Sequence, residues 1–368
     1  MDDLTTPHTA AQRILVIGAY GLIGFGITKK LQAEGHYVSG PRRNERTARR
    51  VIPEIHWDIQ DVSLLVVVNF SGALQDGPKD DLEALHHHAV SALANACNDA
   101  NVKLIQVSAV GANLDTKPHF LTSKARGDAS IKASGLAFHI FRPGLVLAPS
   151  AYGGTAMLRM LAAFPMIQPI ALPNAQIQTV SLDDVADAII AAVNGKIPIG
   201  FEGDLLEETT HDLRDVVVAV RRWLGFETAR FEIILPTSLV TLTGKAADSL
   251  STLGWRSPLR STALAVLSDG VQGKPDNMSR FDLPKIKALP QTFAAMPARA
   301  EDRLFARMLL LMPLMIITLS VFWLASVVIG LLRINEAALT LKTSDGHMRW
   351  LLYPLVFGQS SIFISLLG

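Results

Sequence analysis

The sequence predicts an α/β protein: a doubly wound parallel sheet, a smaller appended α/β region and transmembrane helices at the C-terminus. Three observations carry this prediction. Short apolar runs alternate with helical patterns through the first half of the chain. A glycine-rich turn follows the first of those runs. Residues 308–332 then form an uncharged apolar stretch longer than the roughly 20 residues that cross a bilayer as helix.

Residues 13–17 are apolar and meet glycine at once. Leu22, Ile23, Phe25, Ile27 and Leu31 follow with helical spacing up to Gly35, so the segment reads as strand, tight turn and helix. Residues 37–39 give a second strand and residues 54–57 a weaker third. Residues 64–70 form an apolar run interrupted only by Asn69, as suits a parallel strand covered on both faces. A helix over 82–100, a strand over 103–108, a helix over 123–133 and a strand over 138–141 continue the alternation. Beyond residue 197 the pattern weakens to a helix at 213–224, a strand near 231–235 and several Pro and Gly breaks. A second uncharged stretch, residues 350–368, is about long enough to span, although Gln359, Ser360 and Ser361 dilute it.

Composition removes several classes of function. The formal net charge is +1, with Lys and Arg scattered along the chain, so nothing attracts a polyanion and nucleic acid is not an expected partner. The single cysteine, Cys97, excludes an intrachain disulfide framework and reads as a small buried apolar residue. The polar N-terminus carries Asp2 and Asp3 and lacks the pattern of a signal peptide, so the first domain is expected in the cytoplasm. Arg303 and Arg307 before the first apolar stretch balance Arg333, Lys342 and Arg349 after it, which leaves orientation undecided by charge.

The chemistry concentrates in the first half. Gly18-Ala19-Tyr20-Gly21-Leu22-Ile23-Gly24 is a G-x-x-G-x-x-G turn between strand and helix. Glycine there permits the tight turn, the approach of a pyrophosphate to backbone N–H groups and close packing of helix on strand. Gly18, Tyr20, Gly21, Leu22, Ile23 and Gly24 are therefore candidate cofactor-binding residues. Arg42 and Arg43 close the second strand, where NAD-binding folds usually place an acid. A guanidinium suits a 2′-phosphate, which favours NADP and leaves NAD open. Arg46, Arg49 and Arg50 are also consistent with a solvated basic helix. Asp58 is placed to meet the adenine edge, and Asn69, Ser71 and Gly72 end the fourth strand beside the cofactor path. His86, His87 and His88 lie in a helix, where consecutive side chains diverge, so no metal site is expected. Asp183 and Asp184 read as helix-capping acids.

These motifs resemble the atypical and extended short-chain dehydrogenase/reductases, a group with the Rossmann fold. The resemblance rests on the glycine turn, Val67-Val68-Asn69-Phe70-Ser71-Gly72, Val107-Ser108-Ala109-Val110-Gly111-Ala112 and Phe141-Arg142-Pro143-Gly144, and covers roughly residues 11–200. More narrowly, Leu253-Gly254-Trp255-Arg256-Ser257-Pro258-Leu259-Arg260-Ser261 and Phe322-Trp323-Leu324-Ala325-Ser326 resemble a bacterial group fused to a DoxX-like membrane region. The resemblance implies catalytic roles for Ser108 and Lys124, with Lys124 also serving the nicotinamide ribose. It also implies a tyrosine four residues before the lysine, and Phe120 stands there instead. A phenyl ring cannot exchange a proton with a substrate oxygen. Tyr152 in a glycine loop is a distant alternative.

The expected organisation is a flexible N-terminus at 1–12, a Rossmann domain at 13–200, an appended region at 201–300 and a membrane region at 301–368. Two readings of function follow. One is a multi-pass protein of the inner or plasma membrane, its Rossmann domain in the cytoplasm, that reduces or isomerises a small hydrophobic substrate. The other is an NADPH-binding module with impaired catalysis that contacts a membrane partner protein.

Overall fold

The structure is a computed structural model that describes residues 11–41, 66–73, 76, 81–251 and 261–333. Along the chain, β1 (Arg13–Ile17) leads through the glycine turn to α1 (Leu22–Ala33), and β2 (Tyr37–Ser39) follows. Next come β3 (Val66–Asn69), a π-helical turn (Ala84–His88) that runs into α2 (Ala89–Asp99), β4 (Lys103–Val107), α3 (His119–Ala133) and β5 (Phe138–Pro143). The second half holds β6 (Leu145–Leu147), α4 (Gly154–Ala162), β7 (Ile167–Ile170), β8 (Gln176–Ile177), β9 (Thr179–Ser181), α5 (Leu182–Val193) and β10 (Phe201–Leu205). It closes with β11 (His211–Asp212), α6 (Leu213–Trp223), β12 (Phe231–Ile234), α7 (Thr237–Ser251), α8 (Ser261–Asp269), α9 (Leu289–Ala295) and α10 (Ala300–Leu332).

Six strands form one parallel sheet in the order β10-β5-β4-β3-β1-β2. Alternation along β1 explains the layering. Ile14 and Val16 point to one face and pack with Ile27 and Leu31 of α1 and Val185 and Ile189 of α5. Leu15 and Ile17 point to the other, with Val90, Ala94 and Cys97 of α2 and Ile131 of α3. Cys97 is thus a buried core residue. The chain leaves β1 to one side for β2 and returns on the other side as β3. The carboxyl ends of β1 and β3 consequently flank a topological switch point, where doubly wound sheets open a crevice.

The sheet continues past residue 200, the boundary read from the sequence. Strand β10 pairs with β5 in register from Phe201 opposite His139 to Leu205 opposite Pro143. Helix α3 starts at His119, four residues earlier than its apolar pattern suggested, because Pro118 in extended conformation sets its N-terminus. The expected third strand at 54–57, together with Arg42, Arg43, Arg46, Arg49, Arg50 and Asp58, lies outside the described residues. So do the Leu253 to Arg260 portion of the fusion motif and the second apolar stretch at 350–368.

A second core gathers Leu158 and Leu161 of α4, Val216, Val217 and Val220 of α6, and Ala306 of α10. Glu207, 1% exposed, ties this lobe to the sheet. Its carboxylate accepts from the Thr179 backbone N–H at 3.0 Å, the Thr179 hydroxyl, the Leu289 N–H at 2.7 Å and His211 Nε2 at 3.0 Å. Four donors on three segments satisfy the buried charge.

Helix α10 is 33 residues long and has two parts. Its first two turns are docked. Asp302 receives Arg159 Nη1 at 2.7 Å, Arg303 and Arg307 each lie 5.3 Å from the Phe226 ring centre, and Ala306 is fully buried. Arg159 in turn lies 4.7 Å over the Trp223 ring and donates to the carbonyls of Ala148 and Pro149. The remainder is exposed and apolar, with Leu314 at 61%, Leu324 at 65% and Leu332 at 78% exposure. Among the described residues this is the one helix long and apolar enough to cross a membrane.

Candidate functional site

Gly18 has φ +83°, and a Cβ there would stand 2.8 Å from the Phe70 carbonyl carbon and 2.9 Å from the Phe70 oxygen and the Ser71 nitrogen. Backbone therefore meets backbone at the switch point, and glycine is required on both conformational and steric grounds. A Cβ on Gly24 would collide with the Gly18 carbonyl oxygen, so the third glycine brings the helix onto the turn. Gly21 occupies the N-cap with φ −67°, its N–H donating to Gly18 O at 3.0 Å. The first turn of α1 has neither a side-chain cap nor an acidic residue. The leading N–H groups of Leu22, Ile23 and Gly24 and the positive end of the helix dipole are consequently available to an anion. Tyr20 is half-buried and packs against the sheet core.

Next to the glycine turn, β3 ends in a hydrogen-bonded hook. Asn69, 1% exposed, donates from Nδ2 to Gln106 Oε1 at 2.8 Å, while its Oδ1 accepts from the Ser71 N–H at 3.0 Å and the Ser71 hydroxyl at 2.6 Å. The hook turns the chain outward at Gly72. A Cβ on Gly72 would lie 3.5 Å from Lys124 Nζ and 3.4 Å from His86 Nε2. Lys124 thus reaches the carboxyl end of β3 from α3, with Nζ donating to Val107 O at 3.1 Å. Burial pushes the Lys124 ammonium down to about 8, against the opposing charge of Asp128.

Asp128 stands one helical turn beyond Lys124 and is 3% exposed. Arg142 Nε reaches Asp128 Oδ2 at 3.3 Å, and Arg142 Nη2 donates to Glu202 Oε2 at 2.6 Å. Burial raises the Asp128 carboxyl, with Arg142, Ser108 and Lys124 pulling the other way. Ser108 Oγ is buried without a hydrogen bond of ordinary geometry, although it lies near enough to Asp128 to act on its charge. Ser108, Lys124, Asp128 and Arg142 therefore form one buried polar cluster behind the crevice.

The structure brings Gly18, Gly21 and Gly24 at the end of β1 next to Ser71 and Gly72 at the end of β3, with Lys124 reaching Gly72 and Ser108 following β4. Phe120 does not reach a polar partner. Its ring stands edge-on to His86, with centres 5.5 Å apart. Tyr152 is 68% exposed on the loop before α4. Asp183 and Asp184 occupy the first turn of α5, where they suit the helix dipole, but the capping side chain is that of Ser181 and of neither acid. Ser181 Oγ accepts from the Asp184 N–H at 3.0 Å, and Asp184 pairs with Lys287.

Two residues were not foreseen in these roles. The Asp128 position is legible as an acid four residues after Lys124 on one helix face. His86 had no such signal. It is 2% exposed, and burial, aided by the charges of Lys124 and His119, pushes its imidazole down to about 3. The ring is thus neutral. Because the Ala73 N–H donates to Nε2 at 3.2 Å, Nδ1 carries the proton and faces Ser123 Oγ at 3.0 Å. Ser123 Oγ then donates to Phe120 O at 3.0 Å. This relay fastens the segment after Gly72 to α3.

No protein-family model matches the sequence, and no curated protein does. Solved structures share the fold at low identity. A tyrosine-to-phenylalanine variant of UDP-glucuronic acid 4-epimerase from Bacillus cereus, with UDP-4-deoxy-4-fluoro-glucuronic acid and NAD, is 14% identical with a TM-score of 0.55; the match covers 81% of this chain and 100% of that one. The dTDP-4-dehydrorhamnose reductase of Bacillus anthracis str. Ames, in complex with NADP, is 10% identical with a TM-score of 0.54 over 78% of this chain and 98% of that one. A protein designated gox2253 is 17% identical with a TM-score of 0.57, over 77% and 96% respectively. The chain has the Rossmann-like fold of these proteins.

Proposed function

We propose that this protein is a membrane-anchored oxidoreductase of the short-chain dehydrogenase/reductase type, which binds NADP(H) and acts on a small hydrophobic substrate. The observation that carries the proposal is the glycine crevice: an uncapped, acid-free helix N-terminus faces a β3 end that Gly18 approaches too closely for any side chain. The fold it shares with structures holding NAD and NADP supports the same ligand class. A bound nicotinamide dinucleotide would supply the hydride.

The chain's own residues have separable tasks. N–H groups of Leu22, Ile23 and Gly24 would hold the pyrophosphate, and Arg42 and Arg43 the 2′-phosphate that distinguishes NADP from NAD. Ser71 and Gly72 would border the cofactor, while Lys124 would bind its ribose hydroxyls and Ser108 the substrate oxygen. Residues 308–332 would anchor the protein, since 25 residues at 1.5 Å rise give roughly 38 Å of helix against a hydrocarbon core of about 30 Å. A cytoplasmic domain matches the supply of the cofactor.

A second reading, an NADPH-binding module without efficient turnover, is favoured by Phe120. In the position where the resemblance expects a phenol, a phenyl ring packs on His86. Fluorescence titration with NADPH and NADH, beside Gly21→Asp, tests the shared part of both readings. Aspartate is a good N-cap, so this variant keeps its helix while placing a carboxylate at the phosphate position. Tight NADPH binding that the variant loses supports the site; binding of neither cofactor refutes it. Substrate-dependent NADPH oxidation with a carbonyl and quinone panel separates enzyme from module. Turnover gained by orders of magnitude in Phe120→Tyr identifies the missing proton donor.

A further inference from the structure

The three consecutive histidines do not share one environment. His86 turns inward to Ala73 and Ser123, whereas His87 and His88 turn outward with their rings stacked, centres 4.8 Å apart and planes inclined by 27°. In an α-helix neighbouring side chains diverge by about 100°. Here the π-turn Ala84–His88 closes over five residues, so Glu83, just before it, lies one turn above His87 and His88 together. One ligand atom from each of Glu83, His87 and His88 consequently falls within 4.8 Å of the others. Consecutive side chains diverge in α-helical geometry, whereas the π-turn brings two of the three histidines to the side of Glu83.

The neighbours of Glu83 complete the case. Glu83 Oε1 faces His87 Nδ1 at 2.7 Å, so this oxygen and a ring nitrogen already converge. Glu83 Oε2 is held by Arg126 Nη1 at 2.9 Å and lies 3.5 Å from His119 Nε2. One carboxylate oxygen is thereby left for an ion while the other is fixed in direction by a guanidinium, the kind of support that orients metal-bound carboxylates. Two imidazoles and a carboxylate suit borderline divalent ions of the zinc group.

We propose that Glu83, His87 and His88 form a binding site for a divalent transition-metal ion of the zinc type, with water completing the coordination. The ion replaces the hydrogen bond between His87 Nδ1 and Glu83 Oε1, and neutral His87 then carries its proton on Nε2. The site adjoins the crevice, because the next residue back, His86, holds Ala73 beside Gly72. Asp76 accepts from the Leu82 N–H at 2.8 Å and faces His119 at 3.4 Å, so the same rim carries the charge and hydrogen bonds that an ion would tighten.

Calorimetric titration of the full chain with Zn2+, in detergent, free of affinity tags and stripped with chelator, tests the proposal. The expected result is one saturable ion per chain, with affinity falling by more than the roughly 10- to 100-fold that loss of a supporting partner costs when His87→Ala, His88→Ala or Glu83→Gln is introduced. Co2+ gives an independent readout: a visible ligand-field band in the parent chain that His88→Ala abolishes. His88 is exposed, so that variant does not threaten the fold. Absence of saturable uptake by the parent chain, or affinity unchanged in all three variants, overturns the proposal.

Discussion

Gly18→Ala and Gly35→Ala together measure what the close approach at the switch point is worth. Both glycines have nearly the same backbone, φ +83° and +85°. A Cβ at Gly35 meets nothing within 4 Å, while one at Gly18 meets three backbone atoms of Phe70 and Ser71 at 2.8 to 2.9 Å. Gly35→Ala should therefore lose only the left-handed penalty of about 1–2 kcal/mol. Gly18→Ala adds an overpacking cost of about 1–3 kcal/mol, because strand backbone cannot swing aside as a side chain can. Urea unfolding followed by circular dichroism should place Gly18→Ala below Gly35→Ala by that difference. NADPH titration should show affinity lost in the first and kept in the second. Equal destabilisation with cofactor affinity intact in both would refute the argument that the β1 and β3 ends touch through Gly18.

Four further outcomes are expected. NADPH affinity should fall as pH rises through about 8, where Lys124 loses its charge, by the roughly 10- to 100-fold that a hydrogen bond to a charged group represents; a titration of Lys124→Met should lack this inflection. The same shift carries a stability sign: with its folded pKa below the ordinary 10.5, Lys124 binds its proton more weakly when folded, so this group contributes stability that grows as pH rises from about 8 towards 10.5. Glu207→Gln leaves one of its donors facing an amide N–H and should cost about 2–4 kcal/mol in a urea melt; a loss under 0.5 kcal/mol would mean that the four donors do not depend on its charge. Arg159→Ala strands Asp302 and should free the base of α10, read as faster hydrogen exchange over 300–307, with a cost of about 3–5 kcal/mol; unchanged exchange would assign the docking to Ala306 and to Arg303 and Arg307 on Phe226.

The legible parts of the fold were those specified locally. Strand β1, the glycine turn, α1 and β2 follow from an apolar run, glycine spacing and a helical stripe within 30 residues, and the structure puts β1 and β2 at the expected residues. Strand β10 was missed because Glu202 and Asp204 interrupt its apolar residues. They are tolerated there since Glu202 pairs with Arg142 and Asp204 accepts the Lys274 N–H. The alternation Phe201, Gly203, Leu205 was the available signal. The buried roles of Glu207, Arg159 and His86 were not legible for another reason: a buried charged or polar side chain is recognisable only beside its partner, and Asp302 lies 143 residues from Arg159. The π-turn is a property of backbone closure that residue identity does not announce.

The docked base of α10 also fixes how the protein can stand. Only Arg307 separates buried Ala306 from the apolar residues that begin at Met308, and the helix continues through this point without a break. Were residues 308–332 to enter a bilayer, the helix would act as a mast and not a rope, holding the lobe of α4 and α6 on which it docks close to the lipid headgroups. The crevice would be held at one height and one tilt. A hydrophobic molecule within the leaflet would then meet the protein in two dimensions and not in three.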